Sequence, residues 1–177
     1  ISSYQLEWVE KFRPRVATIT NVTPDHLDRH PDFEDYQATK ERLYACMGAG
    51  DTVVWNTASP GIRPEKFSHL SSVKVGPGEA LGWDGNDLVI RGERVALPGL
   101  DWFGPHTAEN AAVALAMAGS YLGEQCDLEK LLQGIRKFHG LEHRMEILGS
   151  AKGIRVVNNS MCTNPAALIA NTPRDRQ

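Results

Sequence analysis

No stretch of the 177 residues approaches the roughly 20 apolar positions that a membrane-spanning helix needs, and no leader pattern of basic then apolar residues opens the chain. A membrane class is therefore not expected. Cysteine is scarce: Cys46, Cys126 and Cys162 are odd in number, widely spaced and without a C-x-x-C pair. That excludes a disulfide scaffold and points to a reducing, cytoplasmic setting. A basic surplus is also missing, because 19 Lys and Arg stand against 22 Asp and Glu for a net charge of -3. Such a chain has no field for nonspecific binding to nucleic acid or to an anionic membrane. Neither repeats nor low-complexity tracts occur. What is there, 41% hydrophobic and 23% charged residues, is the balance of a globular domain with a real core.

The length allows one domain, or most of one and part of another. Tyr4, Trp8 and Phe12 step at i+4 from the first residues on, like a helix already under way. At the other end Pro173 would break a helix that has barely begun at Pro165. Both features lead to the expectation of a piece of a longer protein.

Residues 21–47, NVTPDHLDRHPDFEDYQATKERLYACM, organise the rest. His26 follows Thr23-Pro24-Asp25 after a β-branched run, where Thr23 can cap and Pro24 can open a short helix. Its ring then sits at a strand-to-helix turn, the place where open α/β sheets keep ligands. Asp32 is a good N-cap for a helix with Phe33, Tyr36, Leu43, Tyr44 and Met47 on one face, and Lys40 falls on that same face. A lysine there must snorkel out, find an anion, lose its proton or be chemically altered. Snorkelling is the plain option. Asp25, His26 and Asp28 add oxygen and imidazole donors of the kind that suits a hard divalent cation.

Elsewhere, residues 16–22 and 51–56 read as buried parallel strands on either side of that helix, the α/β signature. Between residues 59 and 98, short segments separated by Gly and Asp-Gly turns (73–75, 81–83, 88–90 and 94–97) read as antiparallel hairpins beside the main sheet. Gly104-Pro105-His106 opens an alanine-rich helix that runs to about Leu122 with Gly123 as its stop, and its N-terminus offers free N–H groups to an anion or a base edge. His106 and Asn110 also serve as plain capping residues in that pattern. A helix from Asp127 carries Leu128, Leu131, Leu132, Ile135 and Phe138 on one face. A boundary near Gly140 precedes two strand-like runs, 145–148 and 154–158, and a polar loop from Asn158 to a helix start at Pro165.

Six motifs in this order resemble the Mur ligases of peptidoglycan synthesis over nearly the whole chain: Ser2-Ser-Tyr-Gln-Leu-Glu7, Asn21-Val-Thr-Pro-Asp-His26-Leu-Asp28, Tyr36-Gln-Ala-Thr-Lys40, Gly104-Pro-His106 through Asn110, Gly140-Leu-Glu-His143-Arg144, and Asn158 to Pro165. Within that family the resemblance points to the branch that joins D-glutamate to UDP-N-acetylmuramoyl-L-alanine. It implies an α/β fold: the C-terminal part of a P-loop-type central ATPase domain over residues 1–140, and the start of a Rossmann-like, amino-acid-binding domain over 141–177. It implies an ADP-forming ligase in which ATP phosphorylates a carboxylate and an amine then attacks the acyl phosphate. By the same resemblance His26 and Lys40, the latter carbamylated by carbon dioxide, are the catalytic residues that hold Mg2+. Asn110 would meet the adenine, Arg144 the phosphates, and His106 and Asn159 the rest of the nucleotide. Ser2 would meet the muramoyl substrate and Thr163 the incoming amino acid. A cytoplasmic monomer acting on UDP-N-acetylmuramoyl-L-alanine and an amino acid, glutamate first, is expected.

Departures from the family pattern are local. Asn158-Asn159-Ser160-Met161 stands where Asn-Asp-Ser-Lys is usual, so a ribose-holding carboxylate becomes an amide and a substrate-binding cation becomes a thioether. Thr107 replaces a first adenine-contacting Asn. The G-x-x-x-x-G-K-[ST] phosphate loop and a second acidic metal ligand are expected before Ile1, so the isolated chain is not expected to turn over. Other readings of the same motifs are a folylpolyglutamate-synthase-like or amidating ligase, and an inactive nucleotide-binding module.

Overall fold

The computed structural model describes residues 1–98, 106–162 and 168. In chain order the regular elements are α1 (Ser3–Leu6), β1 (Val16–Ala17), α2 (Phe33–Glu41), β2 (Thr52–Asn56), β3 (Ser71–Val75), β4 (Leu81–Asp84), β5 (Asp87–Ile90), β6 (Glu93–Val95), α3 (His106–Leu122), α4 (Leu128–Arg136), β7 (Glu146–Ala151) and β8 (Ile154–Asn158). Strands β1, β2 and β3 form a parallel sheet, β4 to β6 an antiparallel strip, and β7 with β8 a separate hairpin. The α/β class expected from the alternating patterns is the one observed.

The centre of the sheet is β2, whose side chains are buried on both faces. Successive residues of a strand point to opposite sides. Val53 and Trp55 accordingly join Tyr36, Tyr44, Met47 and Leu70 on the α2 side, while Val54 joins Val75, Ala112 and Leu115 on the α3 side. Ala108 and Ala112 have no exposed surface, and these small side chains let α3 lie close across both the parallel sheet and the antiparallel strip. Leu88 of β5 and Leu97 are buried in that second core. The strip is thus packed through α3 onto the sheet.

Several elements differ from the sequence reading. The first helix stops at Leu6, with Trp8 80% and Phe12 44% exposed. Its last turn tightens, Trp8 N bonding to Gln5 O and Val9 N to Leu6 O, and Arg13 is drawn away to Asp51. The run at residues 16–22 pairs with β2 only at Val16 and Ala17. Beyond them the Asn56 side chain takes up Thr20 O, although Ile19 and Val22 remain buried. Thr23 and Pro24 open no helix, because His26 adopts φ 55°, a left-handed conformation that cannot continue a right-handed helix. Residues 73–75 belong to the parallel sheet, not to the hairpins, since Val73 registers with Val54 and Val75 closes the α3-side core. Helix α2 ends at Glu41, and a single 3-10 turn, Arg42–Tyr44, carries the apolar face on to Met47. The helix start expected at Pro165 and the tail at 171–177 lie outside the described residues.

Asp51, just before β2, is 1% exposed and anchors the start of that strand. Its carboxylate accepts from Arg13 Nε at 2.6 Å and from Gly48 N at 2.9 Å. The Arg13 hydrogen bond, then the Gly48 amide, hold its carboxyl below the usual carboxylate range against the opposing effect of burial. A depressed native value contributes stability that is fully present above the unfolded value of about 3.9 and is lost as pH falls through the native one. Asp51→Asn should therefore lower the melting temperature at pH 7. Melts repeated down the pH scale should show the gap to the wild type closing below about pH 4, and a gap independent of pH would contradict this account.

Candidate active site

The loop after β1 presents His26. Asp25 Oδ1 accepts from His26 N at 2.9 Å, and His26 O accepts from the N–H groups of Arg29 and His30, each at 3.0 Å. A non-glycine residue at φ 55° costs free energy on the order of 1 kcal/mol, and such conformations gather at functional sites. The imidazole is half-buried: Nδ1 lies 3.4 Å from the Tyr4 hydroxyl, and Nε2 is 3.8 Å from Asp25 Oδ2. Edge-on contacts to Tyr4 and Tyr36, with ring centroids 5.3 and 5.9 Å away, complete its surroundings.

Helix α2 brings Lys40 to the same place. Asp32 caps it by accepting from Asp35 N at 2.8 Å, and Glu34 and Asp35 in the first turn complement the helix dipole. Tyr36 is 5% exposed, and one turn later the Lys40 ammonium stands 5.1 Å from its ring centroid. Lys40 is half-buried and does not reach outward into bulk solvent. Burial pushes its amine below the ordinary lysine value, and the Asp25 carboxylate partly offsets that.

Lys40, Tyr36 and Asp25 line one wall of a cleft of about 1180 Å³. Its lining also takes in the head of α3, with His106, Thr107, Glu109 and Asn110, and Arg144, Asn159 and Met161. Burial lowers the His106 imidazole, opposed by Glu109, so it is held toward the neutral form. Glu109 is fixed by Asn56 at the end of β2, a residue 2% exposed: Asn56 Nδ2 donates to Glu109 Oε1 at 2.6 Å, and Asn56 Oδ1 accepts from Ala58 N at 3.0 Å. Pro60, also on the cleft wall, is placed by Gly61, whose φ of +70° and position 2.4 Å from Val22 O at a would-be Cβ leave no room for a side chain.

Arg144 sits between two left-handed residues, His143 at φ 65° and Met145 at φ 50°. The polar loop after β8 braces that turn. His143 O accepts from Met161 N at 3.1 Å, Asn159 Oδ1 accepts from Met145 N at 3.4 Å, and Asn158 Nδ2 donates to His143 Nδ1 at 2.8 Å. Asn159 Nδ2 is left as a buried donor with no partner among the described residues.

Of the site residues expected from sequence, Lys40, His106, Asn110, Arg144 and Asn159 share this cleft. His26 is off its lining and reaches it through Asp25 and Tyr36. Ser2 is elsewhere: it caps α1, its hydroxyl accepting from Gln5 N at 3.3 Å. Thr163 lies outside the described residues. Among the described residues no three His, Cys, Asp or Glu side chains are grouped so that they could hold a metal ion. Asp25 nevertheless supplies a carboxylate at the cleft, with His26 Nε2 3.8 Å from it, and a carboxylate fits magnesium, an ion that takes one or two of them and leaves its other positions to water and phosphate. Sequence reasoning missed Glu109, whose placement depends on an asparagine 53 positions away. It also passed over His30, buried four residues after His26.

A parallel sheet carrying a histidine loop, a half-buried lysine and a helix head beside one cleft defines an α/β protein with its cleft at the carboxyl ends of its strands, the place where such folds hold ligands. Residues 1–118 match the Mur ligase middle domain, and the chain belongs to the Mur ligase family. It is 37% identical over 184 residues to the UDP-N-acetylmuramoylalanine--D-glutamate ligase of Pelotomaculum thermopropionicum, covering 96% of this chain and 39% of that protein. The protein of the same name from Elusimicrobium minutum is 35% identical over 172 residues, covering 93% of this chain and 37% of that one. This chain thus spans about two fifths of the length of such relatives. In three dimensions it resembles MurF from Acinetobacter baumannii, with a TM-score of 0.74 at 19% identity over 89% of this chain and 36% of that one. That likeness shows the fold alone.

Removing the brace behind Glu109 tests how the cleft is built. Asn56→Ala strands one oxygen of a carboxylate and two backbone partners, and should cost about 1–3 kcal/mol in urea unfolding. Glu109→Gln keeps an acceptor for the Asn56 amide and should cost less; equal costs would show that the carboxylate does not depend on Asn56.

Proposed function

We propose that this chain is the nucleotide-handling and metal-handling part of an ATP-dependent, ADP-forming ligase, which adds glutamate to UDP-N-acetylmuramoyl-L-alanine through an acyl phosphate in cytoplasmic peptidoglycan synthesis. The observation that carries the reading is the single cleft shared by Lys40, Asp25, Asn110 and Arg144. Residues 1–140 would form the later part of the central domain and 141–177 the start of the amino-acid domain, in a protein acting as a monomer.

Each residue has a role the geometry allows. Burial lowers the Lys40 amine from its ordinary value, which favours the neutral amine; that form adds to carbon dioxide through its nitrogen and releases a proton, and the resulting carbamate would give the cleft an anion beside Asp25 and His26. Magnesium bound there supplies charge neutralisation for the oxygens of the transferring phosphoryl group. The head of α3 offers N–H groups and Asn110 to the base, and Arg144 offers a fixed fork of donors to the phosphates. Asn159 Nδ2, a buried donor with no partner among the described residues, would find its acceptor on the nucleotide. Ser2 is assigned to the muramoyl substrate and Thr163 to the amino acid by their motifs alone.

Met161 bears on which amino acid is taken. Met161, half exposed on the cleft wall, has no charge to offer a carboxylate. The loss of one charge-assisted hydrogen bond of about 1.5–3 kcal/mol corresponds to a weakening by one to two powers of ten.

Two measurements check the proposal. The chain exposed to 13C-labelled carbon dioxide at alkaline pH should show a carbamate resonance that Lys40→Arg abolishes; a wild-type spectrum without it removes the metal-holding role from Lys40. A polypeptide that carries this segment at the full length of its relatives should release phosphate from ATP, with magnesium and UDP-N-acetylmuramoyl-L-alanine, only when an amino acid is added. In it Lys40→Arg should lose at least about 10²-fold in rate, and Arg144→Ala should weaken ATP by about 10- to 100-fold. Phosphate release indifferent to every amino acid would refute the ligase reading.

A further inference from the structure

His30 takes no part in the roles above, yet it is almost completely enclosed beside them, at 2% exposure. Its two nitrogens tie two helices together. Nδ1 lies 2.8 Å from Asp35 Oδ2 on α2, and Nε2 lies 3.1 Å from Ser3 Oγ on α1, with Glu7 Oε1 at 4.0 Å. A carboxylate only accepts, so Nδ1 carries the hydrogen; in the neutral ring Nε2 is then the acceptor for the Ser3 hydroxyl. The order serine, histidine, aspartate is that of a nucleophilic relay, but Ser3 is 1% exposed and outside the cleft lining, so its hydroxyl meets no substrate. What the array does is hold a ring in place.

That ring is packed against both aromatic side chains that frame the site. The His30 centroid is 5.2 Å from Tyr36 and 6.5 Å from Tyr4, and those same two tyrosines contact His26. Tyr36 in turn carries the Lys40 ammonium. A displacement of His30 would therefore reach His26 by two routes and Lys40 by one.

We infer that His30 is a positioning residue for the His26 and Lys40 pair: clamped between Ser3 and Asp35, it fixes the Tyr36 ring against which the imidazole and the amine are set. The inference rests on the reading of that pair as the reacting groups, but its test does not use their chemistry. A cation over an aromatic face is shifted upfield by the ring, so the Lys40 side-chain signals in a 1H–13C spectrum of the 177-residue chain, assigned by their loss in Lys40→Arg, report its place on Tyr36.

In His30→Ala the Lys40 signals should move to the position of an exposed lysine and the His26 ring signals should shift, while those of Trp83 and Leu88 in the other core stay. His30→Gln, which keeps a polar partner for Ser3, should restore part of the displacement. If His30→Ala does not fold, Asp35→Ala decides, because Asp35 is half exposed and its loss removes the Nδ1 partner and one first-turn charge of α2, where Glu34 remains; its Lys40 displacement should be reduced. A folded His30→Ala, or failing that Asp35→Ala, with Lys40 and His26 at wild-type positions and only a lower melting temperature would overturn the inference, as would a wild-type Lys40 with no upfield displacement. Absence of carbamate in the labelled carbon dioxide experiment, with the displacement intact, would sink the chemical reading and leave the positioning role standing.

Discussion

An amine set over the ring of a buried tyrosine is the constraint that the site depends on. Lys40 gains the face of Tyr36 and the field of Asp25, but it gives up water to do so, and burial weighs more than the carboxylate in the balance. For that to persist, Tyr36 must be held firmly, and the structure holds it from several sides: the α2-side core below, Phe33 on its own helix, and the His26 and His30 rings from the preceding loop. The Asp32 cap sets where α2 begins and so which turn carries the lysine.

The two-faced burial of β2 is what brings the halves of the cleft together. One face of that strand packs under α2 and the other under α3, so the lysine helix and the alanine helix are referenced to the same backbone. The hydrogen bond from Asn56 to Glu109 closes the link at the strand's carboxyl end. Such an arrangement brings groups from distant parts of the chain to one cleft.

Beyond α4 the architecture changes from packing to bracing. The β7 and β8 hairpin is exposed along most of its length, and the turn that carries Arg144 relies on hydrogen bonds from Asn158, Asn159 and Met161. Two residues of left-handed conformation, His143 and Met145, flank Arg144, and those polar contacts hold them in place. The departure at residue 159 has a structural consequence as well as a chemical one, since its amide oxygen is committed to Met145 and its nitrogen has no partner among the described residues.

Much of this was legible in the residues themselves. The Asp32 cap, the apolar face from Phe33 to Met47 that includes Lys40, the alanine helix ending before Gly123, and the Asp127 cap all follow from local rules of spacing and side-chain hydrogen bonding, which neighbouring residues decide among themselves. Where a segment's partner lay far along the chain, local rules were not enough. Residues 73–75 look the same whether they pair within a hairpin or beside β2, and only burial of Val75 against α3 selects the latter. Nor does any local pattern reveal that Asn56 meets Glu109, or that His30 lies between Ser3 and Asp35. The sequence alone determined which side chains had the chemistry; the tertiary structure decided which of them stand together, because hydrogen bonds and ring contacts between distant residues exist only once the sheet has been buried on both faces.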